Sequence, residues 1–441
     1  MVCLLDVCAK ASIASQENSD TIQPVEMQIE ETNNMETYYT MPLESEKTFT
    51  EEEKRLLQDR RDTAEAYMRS MANVLWRATE DLTWTTKHHI VNEELLAEYC
   101  LEKRPLKMCA GRLYRGIPYS FSGCSPYTFF KFLGGKDEKG HPKVEGLHWR
   151  NLNGGAKSTG RIGNDCSSAV QQSWMFVGGN FAPAGTGSMV ASLGYIPVGS
   201  YKNEYTQYED TTCIVAENGN DVMFASYAEL RNADAIVRRQ DNAGHTMMIT
   251  SVNVVYDENG AIDGEKSYVT VVHQTAAYTR EQAFEYDEAI GENVYKVYGI
   301  DDVFTFNTLI EKGYLPVTCD VLIDPGAKPK EVWIKDSVTE YSFDNILEGE
   351  FTSNEPMSFV NIVITDQKGL EVGNQVCFYI RQSERTEFKF QMRQFVTETD
   401  FNKLGTLDLN KLTPGTYHCT HTLTGLFGSE YVMRDFDFTI E

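Results

Sequence analysis

The sequence predicts an α+β protein, with an antiparallel sheet packed on helices over residues 49–323 and an all-β sandwich over 331–441. Three observations predict it. Thr50 and Glu53 form a T-x-x-E capping box ahead of apolar residues at helical spacing. Two apolar runs, 245–256 and 267–275, flank Asn259-Gly260 and Asp263-Gly264, which is strong hairpin chemistry. Beyond residue 330 helical spacing fades, and short alternating strands recur between turn residues.

Residues 1–48 read as a flexible lead-in, because 15–48 is rich in Glu, Gln, Asn, Ser and Thr and poor in large apolar groups. Met1 to Ala11 is mildly apolar, but Asp6 interrupts it and no basic residue precedes the run. It reads as a remnant signal or as a disordered tail. In the first helix Ala64, Met68, Met71 and Leu75 form one stripe, and the helix is expected to reach about Trp76. Gly-rich loops at 134–140 and 153–163 precede a helix from Cys166 to Val177, then an irregular insertion, 178–225. Another helix is expected around 300–312, and 324–330 (Asp-Pro-Gly-Ala-Lys-Pro-Lys) reads as a linker. Strands are expected at 331–335, 358–365, 375–381, 386–391, 415–423 and 431–440. The Cys–Trp–Cys spacing of a true immunoglobulin domain is missing, so the sandwich is only immunoglobulin-like.

At 441 residues, 41% hydrophobic and 24% charged, the chain has apolar mass for two or three domains. A net charge of -25 repels phosphate backbones and argues against nucleic acid as a partner. No stretch approaches the ~20 apolar residues of a membrane-spanning helix. The ten cysteines include no C-x-x-C, which argues against zinc-ribbon and thioredoxin-like chemistry. Cys377 and Cys419 are placed to pair across two sheets, although a chain of this size needs no disulfide framework.

The segment Gly163-Asn164-Asp165-Cys166-Ser167-Ser168 carries the chemistry. Asn164 and Asp165 are helix-capping residues, so Cys166 falls in the first turn of a helix. There the dipole and free backbone N–H groups favour thiolate, and the same amides suit an oxyanion. A small buried cysteine at a helix start satisfies the same local pattern. A nucleophile needs a base. His245 opens one apolar strand and His273 lies near the end of the next, so either histidine is placed to face a helix N-terminus. Each histidine taken singly also fits a structural role. Gln274 points to the other strand face and rivals His273 for orienting the base. His88, His89 and His141 sit in polar surroundings, and His418 and His421 belong to the C-terminal region. A zinc site from Cys166 and the two histidines lacks H-x-x-x-H or C-x-x-C spacing, so no metal is expected, nor any organic cofactor.

Taken together, YRGIPYSFSG (114–123), GNDCSSAVQQSW (163–174), GHTMMIT (244–250) and VVHQT (271–275) resemble the NlpC-type papain-like cell-wall peptidases over about residues 50–320. The resemblance implies a papain-like catalytic domain in which Cys166 attacks, His245 is the base and His273 orients it. It also implies that Tyr119, Asp165 and Ser167 bind a free amino end of a peptide stem. Residues 227–237 are similar to the family's L-x-P-G-D strand, with Asn232-Ala233 in place of Pro-Gly, and Ser122 replaces a glycine of the usual pair. The expected function is a secreted or cell-envelope cysteine peptidase or amidase acting on peptidoglycan stem peptides, with a C-terminal domain that binds wall or glycan or serves as a spacer. The alternatives are a catalytically inactive wall- or partner-binding module, and an acyltransferase or amidase on lipid or small-molecule amides.

Overall fold

The computed structural model describes residues 49–78, 82–84, 106–119, 124–130, 133–136, 138, 142–144, 148–151, 158–161, 163–179, 185–190, 195–202, 210–240, 243–328, 331–378, 388–391 and 403–441. The lead-in 1–48, His88, His89, His141 and half of the two Gly-rich loops lie outside them.

Helix α1 (Glu51–Ala72) starts at the expected box: Thr50 Oγ1 accepts from the Glu53 amide, and the Glu53 carboxylate accepts from the Thr50 amide. It ends earlier than its apolar stripe suggests, because the Asn73 side chain and amide both donate to Arg69 O. Trp76 then belongs to a strand, Leu75–Ala78, with its indole N–H on Gly116 O. The inner face of α1 buries Ala64, Met68 and Met71, and with them Arg61. That guanidinium is 1 % exposed; it pairs with Asp234 at 2.9 Å and donates to the carbonyls of Asn232 and Leu322. A buried charge requires such pairing, although Arg61 Nε is left without a partner among the described residues.

Helix α2 (Cys166–Phe176) packs with α1 into one hydrophobic core through Ala169, Val170 and Trp174. Among its described residues the expected irregular insertion contains a short helix, Thr186–Val190, and two longer ones, α3 (Thr211–Asn218) and α4 (Asn220–Ala228). Asp210 caps α3, and Gly219, at φ 76°, separates α3 from α4; small polar residues that read as loop are here cap and joint.

The central sheet holds β1 (Ala235–Gln240), β2 (Ala243–Asn253), β3 (Tyr268–Gln274), β4 (Tyr298–Thr305) and, after helix α5 (Phe306–Lys312), β5 (Leu315–Thr318). Their order is β4-β3-β2-β1-β5, with Ile196–Pro197 at the far edge, and every pairing is antiparallel. The expected hairpin between β2 and β3 is present. The helix expected around 300–312 begins only at Phe306: Thr305 caps α5, and the residues before it form β4. A second, mixed sheet joins Leu75–Ala78 and Leu113–Arg115 to four more short strands.

Residues 324–328 form a turn rather than a free linker, since Arg60 donates to the carbonyls of Asp324 and Ala327. Beyond them lie only strands and single 3-10 turns among the described residues. A three-stranded sheet faces chain order Ile334–Asp336, Glu350–Ser353, Phe388–Gln391. A five-stranded antiparallel sheet contains β6 (Met357–Asp366), β7 (Glu371–Phe378), β8 (Gly415–Gly425) and β9 (Glu430–Ile440), with Lys403–Gly405 at its edge. β7 and β8 flank β6 in one sheet, so Cys377 and Cys419 do not face each other across two; Cys419 is a free thiol.

Candidate active site

The start of α2 is built by Asp165. Its Oδ1 accepts from the Ser168 amide and hydroxyl, both at 2.7 Å, and from the Ser167 hydroxyl at 2.9 Å, while Ser168 Oγ accepts from the Asp165 amide. This reciprocal cap fixes Cys166 as the first helical residue. Three backbone amides point at its sulfur, those of Thr246, Ser167 and Cys166 itself. The Thr246 amide comes from β2, one residue after His245, so helix and strand meet at the sulfur. Tyr119 forms a backbone bridge with Asn164, which sets it beside the same helix start. The structure thus gathers Tyr119, Asp165 and Ser167 around Cys166, although one carboxylate oxygen and the Ser167 hydroxyl are committed to the cap.

His245 Nε2 lies 2.8 Å from His273 Nδ1, and His273 Nε2 lies 2.9 Å from Asp302 Oδ2. The Tyr278 hydroxyl donates to the same Asp302 oxygen at 2.7 Å. Burial opposes ionisation of Asp302, but the bonds from His273 and Tyr278 outweigh it and hold the carboxyl below its usual range. A carboxylate only accepts, so His273 carries its proton on Nε2. Its Nδ1 must then accept from His245 Nε2–H, which leaves a lone pair on His245 Nδ1. Gln274 takes no part: its amide donates to Ile117 O at 2.6 Å, on the other strand face. The rival orienting role for Gln274 is thereby removed.

The electrostatics differ from the sequence expectation. Cys166 is 6 % exposed. Burial pushes its thiol up to about 12, and the neighbouring Asp165 charge adds to this; the three amides pull the other way and lose. The expected depressed thiol is therefore absent from the resting site, because desolvation outweighs a single helix end. His245 moves in the complementary direction. Burial lowers its pKa well below 6.5, and the nearby His273, Arg238 and Lys312 lower it further. The resting pair is thiol and neutral imidazole, and no hydrogen bond yet joins the two side chains among the described residues. Catalytic bonds of this kind commonly tighten only around substrate.

Asp302 and Tyr278 carry no signal in the sequence reading. Asp302 reaches His273 through a bulge: Val271 pairs with Asp302 and Val272 with Ile300, so Asp301, at φ 57°, is an extra residue. Were Asp301 paired as an ordinary strand residue opposite Val271, Asp302 would fall opposite Thr270 and turn to the other face. Gly299 completes the geometry, since a Cβ there would run into both His273 Nε2 and Asp302 Oδ2.

Among the described residues no cluster of three or more His, Cys, Asp or Glu could hold a metal ion, and no helix is long and apolar enough to cross a membrane. His418 lies on a solvent-facing strand between Asp435 and Asp437, and His421 is buried in the C-terminal region. Comparison with protein-family models, curated proteins and solved structures finds no match to this chain.

Proposed function

We propose that the chain is a papain-like cysteine hydrolase that cleaves an amide bond through an acyl-enzyme. One observation carries the reading: a cysteine opening a helix, met by backbone amides that include the one following His245, a histidine whose lone pair is fixed by the His273–Asp302 relay. As a carbonyl carbon approaches, His245 Nδ1 takes the thiol proton and Sγ bonds to that carbon. The carbonyl oxygen gains the negative charge and receives amide N–H groups at the helix start. The imidazolium, stabilised through His273 by Asp302, donates its proton to the departing nitrogen as the C–N bond breaks. Water then adds to the thioester with His245 again as base, releasing the acid and restoring the thiol.

The resemblance to NlpC-type peptidases supports a peptidoglycan stem peptide as substrate, a secreted or envelope location, and an immunoglobulin-like sandwich over 331–441 that contacts wall or glycan. The test is mass spectrometry of muropeptides incubated with the wild type and with Cys166→Ala. New termini that appear with the wild type alone support the reading; none with either protein counts against it. The buried thiol favours a second reading, an inactive wall-binding module. Cosedimentation with intact sacculi without any new termini would select that one.

A further inference from the structure

The carboxamide of Asn164 is 0 % exposed and does not cap the cysteine helix, because Asp165 performs that task. Its oxygen accepts from the Tyr298 hydroxyl at 2.8 Å and from Gln274 Nε2 at 3.4 Å. Its Nδ2 donates to Met71 Sδ of α1, and its backbone amide donates to Pro118 O at 3.0 Å. Gln274 Nε2 donates also to Ile117 O, at 2.6 Å. Gln274 Oε1 has no partner among the described residues, so donation alone orients that side chain. Gly116, at φ 102°, lets the chain pass over the Tyr298 ring, which a Cβ there would strike.

Strand pairing connects these bonds to the candidate site. Tyr298 pairs with Gln274, and the next pair inward is Gly299 with His273. Successive residues of a strand face opposite sides, so β3 and β4 hold the relay on one face and the Asn164 anchor on the other. Asn164 stands two residues before Cys166, whose sulfur receives the Thr246 amide of β2. The helix start is thus tied to the same strand pair that carries the relay. A buried acceptor that loses its donor is costly, so removing either donor would favour movement of the helix start.

We propose that Asn164 is a positioning residue: with Tyr298 and Gln274 it sets the helix start against β3 and β4, and so fixes the Cys166 sulfur relative to His245 and its relay. It acts through the backbone of the helix start rather than on the reacting atoms. The proposal rests on the hydrolase reading and adds the device that holds its two halves in register. Such a device matters because a displacement of about 1 Å at a reaction centre costs on the order of 100-fold in rate.

The experiment is a double-mutant cycle in the full chain, read on turnover of an Ala-γ-Glu-Lys tripeptide: Tyr298→Phe, Asn164→Ala and the two combined. Each single variant should lower kcat by roughly tenfold or more, with KM and the acid limb of the pH-rate profile in place. The combined variant should be no slower than Asn164→Ala, because both changes remove one shared bond. A raised KM with kcat intact would overturn the proposal, as would additive losses in the combined variant. Should Asn164→Ala not fold, Tyr298→Phe decides alone, since it keeps the ring: the same fall in kcat supports the anchor, and wild-type kcat overturns it. If the wild type leaves the tripeptide intact, the hydrolase reading is what has failed. The anchor is then read from alkylation of Cys166 by iodoacetamide, with exposed Cys213 as internal reference. Tyr298→Phe should speed it about fivefold or more, as the loss of one buried hydrogen bond loosens the helix start. An unchanged ratio of Cys166 to Cys213 labelling would overturn the anchor.

Discussion

Two thiol–imidazole combinations stand out among the described residues, and they differ in what surrounds them. In the C-terminal region Cys419 Sγ and His421 Nδ1 are 3.7 Å apart, two residues along one strand. Both are 0 % exposed. His421 spends its Nε2–H on the carbonyl of Ile346, so no carboxylate stands behind it. No helix start faces the sulfur. Burial pushes Cys419 up to about 12 and His421 down to about 4. In the central sheet the two side chains make no direct bond, yet His245 is half-buried, amides converge on the sulfur, and a relay ends in Asp302. Contact between sulfur and imidazole is thus a poor guide to function. Access, oxyanion donors and a fixed tautomer separate a candidate reaction centre from a packed core pair.

The largest effect that sharpens this contrast is on turnover of a stem peptide. Cys166→Ala should lower it by about 10⁴-fold or more. Cys419→Ala should leave it intact and cost about 1–2 kcal/mol of unfolding free energy from lost core contacts. Paired activity assays and urea titrations measure both, and equal activity losses would erase the distinction. Next in size is Asp302→Asn, which should lower kcat by about 100-fold or more. An amide can donate to His273 Nε2, reversing the tautomers so that His245 Nδ1 bears hydrogen and cannot accept the thiol proton. Gly299→Ala should act similarly by forcing His273 and Asp302 apart. Unchanged pH-rate profiles in both variants would break the relay.

Smaller effects concern protonation. Because His245 is depressed, the acid limb of kcat/KM should fall only below the ordinary imidazole range, as protons reach Nδ1. His421 gives a stability effect instead. Its folded value is about 4 against 6.5, so the unfolded chain binds the extra proton between those values. Its contribution is complete above pH 6.5 and is lost as pH falls towards 4; the slope of urea midpoints against pH should flatten in His421→Gln. The smallest effect is in labelling. Iodoacetamide at neutral pH should modify exposed Cys213 before Cys166, and Cys419 last, read by peptide mass spectrometry.

Much of this arrangement was legible from local signals. Cap residues announced both long helices, and Asn-Gly and Asp-Gly announced the β2–β3 hairpin that carries both histidines. The thiol's protonation was not legible, because helix ends are local while desolvation follows from burial in the assembled fold. Asp302 stayed hidden because the apolar spacing of 303–310 suggests a helix and masks β4. The two longer helices of 178–225 were missed since Asp210 and Gly219 read as loop until their caps are seen. The expected Cys377–Cys419 pairing failed because period-2 patterns show which face a residue takes but not which strands are neighbours.

The extra residue at Asp301 has an evolutionary consequence. Removing a single codon there would restore regular alternation and still leave Asp302 opposite Val271, on the face that carries His273. A protein so altered should melt close to its parent, less the Arg69–Asp301 ion pair, and keep the relay's acidic end in place. Chain length at this one point would then vary in such a lineage without moving the carboxylate from its side of the sheet.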